Sequence, residues 1–108
     1  MKIMTAPTLR FDIYMAGDIK KARQVCQEYC DRTGFCVHVE ACDYIYTNGA
    51  EVGFKVGIIN YPRFPDTLLS LKNRAMDLAH NLRELCGQDS FSIVGPHETI
   101  FVSFREGD

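Results

Sequence analysis

CVHVEACDYIYTNGAEVGFKVGIIN, residues 36–60, decides the fold. Val37, Val39 and Ala41 alternate with His38 and Glu40, and the pattern runs on through Tyr44, Ile45 and Tyr46. Thr47-Asn48-Gly49 interrupts it. Asn-Gly between alternating apolar residues is the strongest short hairpin signal, because both residues tolerate positive φ. Beyond the turn Val52, Phe54, Val56 and Ile58 alternate with Gly53, Lys55, Gly57 and Ile59. Alternation of period two sends successive side chains to opposite sheet faces. Residues 36–47 and 51–60 therefore read as two long antiparallel strands with one apolar face. A two-residue turn at Asn48-Gly49 sets Tyr44 opposite Gly53. Glycine inside a strand marks a bulge or a close approach by a backbone, a ligand or a neighbouring subunit, so the tyrosine-and-glycine face is a candidate contact surface.

Working outward, residues 9–15 alternate as a first strand, and Asp18 after Gly17 suits a helix N-cap. Ile19, Ala22, Val25, Cys26, Tyr29 and Cys30 then recur at helical spacing, with Gly34 fit for the left-handed position that ends a helix. On the other side, Asn60-Tyr61-Pro62-Arg63-Phe64-Pro65 is a stiff, extended connection. Asp66 is placed to cap a second helix of about 21 residues, roughly 30 Å long, whose apolar face, Leu68 to Leu85, runs on to Cys86-Gly87. Phe91 and Ile93, a turn at Gly95–Glu98, and Ile100, Val102 and Phe104 form a closing hairpin. The order is β-α-β-β-α-β-β. The expected architecture is α+β: one domain over residues 1–108, a small antiparallel sheet with two helices packed on one face.

The 108 residues carry a net charge of -2, with 46% hydrophobic and 24% charged side chains. No basic stripe is present, which argues against duplex nucleic acid as a partner. No apolar run approaches the length of a membrane span, and no export signal is read at the N-terminus. Five cysteines, an odd number, point to reduced thiols in a cytosol rather than a disulfide framework. Cys26, Cys30, Cys36 and His38 could be drawn as a zinc site, but they lack the paired spacing that zinc sites use. No cofactor or metal is expected.

Nor does the sequence display a catalytic set. His97-Glu98-Thr99 stands alone where a two-histidine phosphodiesterase would need a second such triplet, and His38-Val39-Glu40 lacks the hydroxyl. Cys36 and His38 share a strand face without an orienting acid. The expectation is a binding protein, not an enzyme. Asn60, Tyr61, Arg63 and Phe64 offer the right groups for it: rings to stack on a base, an arginine for phosphate, an amide for a base edge or hydroxyl. A rigid connection whose Arg63 caps carbonyls and whose Phe64 fills the core is the structural alternative.

The strings AGDIKKARQVCQEYC and GFCVHVEACDYIYTNGAEVGFKVGIINYPRFP resemble the first type of Thoeris anti-defence protein. The resemblance rests on Ala16-Gly17-Asp18, the helix with Cys26 and Cys30, Tyr44-Ile45-Tyr46-Thr47 and, above all, Asn60–Pro65. It departs at Ala50, where a second glycine is expected after the tyrosine hairpin. Such proteins are phage sponges that sequester cyclic nucleotide signals, notably glycocyclic ADP-ribose, without cleaving them. Some also bind CBASS-type cyclic oligonucleotides at a separate site, and they assemble as dimers and hexamers. The resemblance implies a cytoplasmic protein of the infected bacterial host. With the chemistry above it selects Asn60, Tyr61, Arg63, Phe64, Tyr46, Thr47, Phe101 and Arg105 as ligand-binding residues. A second site is drawn on Lys20, Arg23 and Thr99, where the start of the first helix adds partial positive charge. The competing expectations are a protein-interaction module that blocks a host factor and a cyclic-nucleotide hydrolase with His97, Thr99 and Glu51 first in line.

Overall fold

The computed structural model describes residues 1–108. It runs β1 (Arg10–Ala16), α1 (Ile19–Thr33), β2 (His38–Tyr46), β3 (Gly49–Ile59), α2 (Leu68–Leu85), β4 (Ser90–Val94) and β5 (Thr99–Ser103). The strands form one antiparallel sheet in the order β2-β3-β1-β4-β5. Both helices pack on the same face, α1 over β2 and β3, α2 over β1 and β4. This is the α+β arrangement expected from the alternation. No helix is long and apolar enough to cross a membrane.

One side of each strand drives this layering. Phe11, Ile13 and Met15 of β1, Phe54, Val56 and Ile58 of β3, and Phe91 and Ile93 of β4 are buried against the helices. Leu71, Ala75, Leu78, Ala79 and Leu82 answer from α2, and Ala22, Val25, Cys26 and Tyr29 from α1. Each fully buried Leu, Ile or Phe side chain stabilises by about 1.5–3 kcal/mol relative to exposure, which fixes the helices to this face. Asp18 caps α1 by accepting from the Lys20 amide at 2.9 Å, and Gly34, at φ 69°, ends it. The cap of α2 is Thr67, whose hydroxyl accepts from the Ser70 amide at 3.1 Å. Asp66, expected as the cap, braces that turn instead, accepting from the Thr67 amide and the Ser70 hydroxyl. Starting at Leu68, α2 is 18 residues long rather than about 21.

The hairpin differs from expectation in its turn. Tyr46 pairs with Gly49, so the loop is Thr47-Asn48 and Tyr44 faces Glu51, not Gly53. Asn48 takes the positive φ, 64°, that the turn requires. Gly49 is needed in the strand, because the Tyr46 ring lies where its Cβ would be. Moving the loop by one residue shifts the pairing by two, which leaves every side chain on its expected face.

Gly49, Gly53 and Gly57 recur every four residues on the sheet face away from the helices. Tyr46, Tyr44 and His38, all from β2, lie over them in turn. The close approach that the glycines signal is made by the chain's own rings. Only Gly53–Ile59 of β3 pair with β1. The far end of the hairpin therefore projects from the body, leaving Ile45 and Val52 exposed.

Candidate functional site

β1 is the central strand, and it stops at Ala16. Gly17, at φ 134°, turns the chain out of the sheet into α1. The chain on either side runs on past this point. Ala16 pairs with Gly53, and Glu51 lies two residues beyond along β3. Tyr14 pairs with Ser92, with Ser90 and Gln88 further along toward the same end. A notch opens between them, and it continues across the open sheet face as a groove of about 260 Å³.

Its walls are aromatic and its ends are charged. Tyr14, Tyr44, Tyr46 and Phe101 line it, with Glu51 from β3 and Arg105 from just past β5. The Tyr46 hydroxyl donates to Oε1 of Glu51 at 3.0 Å, an interaction that pushes the phenol above its ordinary pKa. The Tyr44 hydroxyl donates to the Phe54 carbonyl at 2.7 Å and accepts from the Met15 amide at 3.2 Å. Burial is the chief cause that pushes its pKa up to about 12, so it stays protonated and keeps both bonds. Arg105 stands 3.8 Å from Asp89 and 3.7 Å from Asp108. Serines rather than bulky residues occupy the floor, Ser92 opposite Phe101 and Ser90 opposite Ser103. Such a groove suits a ligand with one flat aromatic part and one cationic part.

Tyr46, Phe101 and Arg105 of the expected ligand residues come together here. Asn60, Tyr61 and Phe64 line a separate recess of about 330 Å³ beside Phe35 and Arg74. Asn60 is buried, and its amide is spent on the fold: it donates to the Pro7 carbonyl at 2.9 Å and accepts from the Asp66 amide at 2.8 Å. Tyr61 and Phe64 pack on each other, ring centroids 5.3 Å apart. Arg63 is exposed outside the recess, and Thr47 is exposed in the hairpin turn. Lys20 and Arg23 are exposed on α1 in the helix layer, whereas Thr99 is on β5 opposite Val94. The structure does not bring that second trio together within one chain. No three His, Cys, Asp or Glu side chains converge as metal ligands.

Tyr14, Glu51, Gln88, Ser90 and Ser92 were not among the expected ligand-binding residues. The signal for them was parity. Tyr14 alternates with the core residues Ile13 and Met15, and Ser90 and Ser92 alternate with Phe91 and Ile93. Whatever faces away from the helices at the end of the central strand shares one surface.

The sequence matches no protein-family model and no curated protein. Solved structures do match. The chain shares its fold with phage SAM lyases. A phage SAM lyase in its apo state superposes with a TM-score of 0.74 at 13% identity, over 99% of this chain and 100% of that one. A phage SAM lyase in complex with S-methyl-5'-thioadenosine gives a TM-score of 0.65 at 12% identity, over 100% of this chain and 98% of that one.

This likeness to lyases overturns the reading drawn from the resemblance. The cyclic-nucleotide sponge, the expectation of a protein that is not an enzyme, and the cyclic nucleotides as partners are all withdrawn. The motifs behind the resemblance have another physical explanation. Tyr44 and Tyr46 cover strand glycines, Gly17-Asp18 turns and caps, and Asn60 anchors the connection that it begins. Each would be kept for the fold whatever the groove binds.

Proposed function

We propose that the chain is a lyase that cleaves S-adenosylmethionine and releases S-methyl-5'-thioadenosine, with the groove at the end of β1 as its site. The observation that carries this reading is the coincidence of a full-length fold match to a thioadenosine-bound lyase with a groove walled by rings and holding an anchored carboxylate.

The chemistry asks little of the protein. S-Adenosylmethionine is a sulfonium, and breaking the bond from sulfur to the amino-acid side chain sends the electron pair to sulfur. The leaving group is a neutral thioether that needs no proton. The carbon that loses sulfur takes its new electron pair from the fragment itself, through its own carboxylate oxygen or from a neighbouring C–H bond whose proton departs. The first route needs neither base nor metal. A site that binds the cation, folds the substrate for internal attack and excludes water would supply orientation and desolvation. Positive charge at sulfur disappears in the transition state, so a low-polarity aromatic wall favours the reaction. Glu51 is the carboxylate in position to draw the sulfonium in, and Arg105 the cation for the substrate's carboxylate. The protein would act in the cytoplasm of an infected bacterial host, where this substrate is made.

Incubation of the purified protein with S-adenosylmethionine, followed by chromatography, should yield S-methyl-5'-thioadenosine over many turnovers. Intact substrate after prolonged incubation would sink the reading.

A further inference from the structure

We infer that Tyr14 and Phe101 are the two walls of a slot that takes a flat purine base, with Ser92 as its floor. The inference rests on the lyase reading of the groove and adds which part of the ligand goes where. Tyr14 pairs with Ser92 across β1 and β4, and Ser92 pairs with Phe101 across β4 and β5. The three side chains therefore form one row on the open sheet face. Neighbouring strands lie about 4.8 Å apart, so the two outer side chains rise roughly 9.5 Å apart. A planar ring in contact on both faces needs about 7–8 Å. The gap fits one ring and not two, and it exists only because a serine stands between. A leucine or phenylalanine at position 92 would fill it.

The surroundings agree. Phe101 is 59% exposed, an apolar face left uncovered on a regular strand. On one side of the row, Val94 and Thr99 close the slot. On the other side Ser90 and Ser103 leave it open toward the notch, where Glu51 and Gln88 line the same groove. A nucleoside stacked in the slot would direct its sugar and 5'-sulfur along this small-residue track toward Glu51. Tyr14 and Phe101 would thus hold the common part of substrate and product, while the charged end senses only the sulfonium.

Calorimetric titration with S-methyl-5'-thioadenosine tests the slot. Ser92→Leu should weaken binding at least about thirtyfold, and Phe101→Ala about tenfold, the scale of losing one base-stacking face. Asn73→Leu, which adds apolar bulk on the exposed face of α2 away from the groove, should stay within about twofold of wild type. Thermal unfolding of each variant separates a plugged slot from a lost fold. Phe101 is exposed, so its truncation gives an answer even where the serine variant fails to fold. Unchanged affinity in a folded Ser92→Leu or Phe101→Ala protein would overturn the slot while leaving the lyase reading standing. A wild-type protein that neither binds the thioadenosine nor cleaves S-adenosylmethionine would overturn both.

Discussion

The ring of Tyr44 lies on Gly53, so closely that a Cβ on that glycine would stand 2.5 Å from the tyrosine Cε2. The two residues are diagonal neighbours, since Tyr44 pairs with Glu51 and Gly53 with Cys42. The same Cβ would also strike the backbone of Met15 and Ala16 where β1 ends. Gly53→Ala must therefore displace the ring, the strand end or both. Overpacking of this kind costs about 1–3 kcal/mol. The expected outcome is a lower melting temperature together with weaker ligand binding, because Tyr44 and Ala16 both line the groove. An alanine variant with wild-type stability would show that the ring is free to move aside.

Tyr44 also sets an alkaline limit. Its hydroxyl links the Met15 amide and the Phe54 carbonyl, and its pKa is pushed from 10 in the unfolded chain up to about 12. A raised folded-state pKa means stability that is complete below pH 10 and is lost as pH climbs through 12. Tyr29, likewise pushed up to about 12 mainly by burial, adds to the same loss. Tyr44→Phe should cost about 1–3 kcal/mol at neutral pH, because two backbone groups lose a partner. It should also flatten the decline between pH 10 and 12. Denaturant melts across that range give the comparison, and an undiminished alkaline decline in the variant would count against this assignment.

The cysteines should separate by reactivity. Cys26 is buried, and its thiol is pushed up to about 12, chiefly by that burial and then by Cys30 and Cys86. Cys36 is exposed. Thiolate is the reacting form, so iodoacetamide at pH 8 should label Cys36 first and Cys26 only on unfolding. Mass spectrometry of a time course reads the order, and early modification of Cys26 would mean that the packing of α1 on the sheet opens readily.

The fold was legible in the sequence because its signals were local. Alternation through Val52–Ile58, the stripe of Ala22, Val25, Cys26 and Tyr29, and caps such as Asp18 each need only a few neighbouring residues. The turn at Thr47-Asn48 was misplaced by one position because two residues there tolerate positive φ, and the choice fell to a ring, Tyr46, that needed the glycine elsewhere. The groove was half legible. Tyr46, Phe101 and Arg105 could be chosen as groups able to reach a ligand, but Tyr14, Ser92 and Glu51 join them only through the strand order β3-β1-β4-β5. That order is set by long-range pairing, which no local pattern records. The proposed lyase chemistry has its own reason to leave no sequence signal. A sulfonium substrate carries its own leaving group, so its cleavage calls for none of the acids, bases or metals by which active sites are recognised in a sequence.

Asn60 belongs with the structural residues. It begins the connection that was expected to contact ligand, yet its side chain joins Pro7 near the N-terminus to Asp66 ahead of α2. Asn60→Ala removes the side-chain partner of the Pro7 carbonyl and the Asp66 amide, a loss of about 1–3 kcal/mol for two hydrogen bonds. The expected result is a large drop in melting temperature with the KM for S-adenosylmethionine unchanged at temperatures where the variant is folded. A raised KM in a stable variant would return Asn60 to the binding site.

Glu51 offers the sharpest separation of roles. Its Oε1 accepts from the Tyr46 hydroxyl at 3.0 Å, which orients the side chain at the groove. A carboxylate at the groove is placed to attract a cation. S-Adenosylmethionine carries a sulfonium charge that S-methyl-5'-thioadenosine lacks, so the two ligands should respond differently to Glu51→Gln. Binding of the thioadenosine should change by less than about threefold, while the KM for S-adenosylmethionine should rise about tenfold or more, the scale of one lost charge contact. Because the charge vanishes as the bond breaks, Glu51 stabilises substrate more than transition state, and kcat should stay within a few-fold of wild type. Steady-state kinetics together with titration of the product distinguishes the alternatives. A kcat that collapses at unchanged KM would make Glu51 the base that takes a proton from the fragment, and the internal route through the substrate's own carboxylate would fall with it.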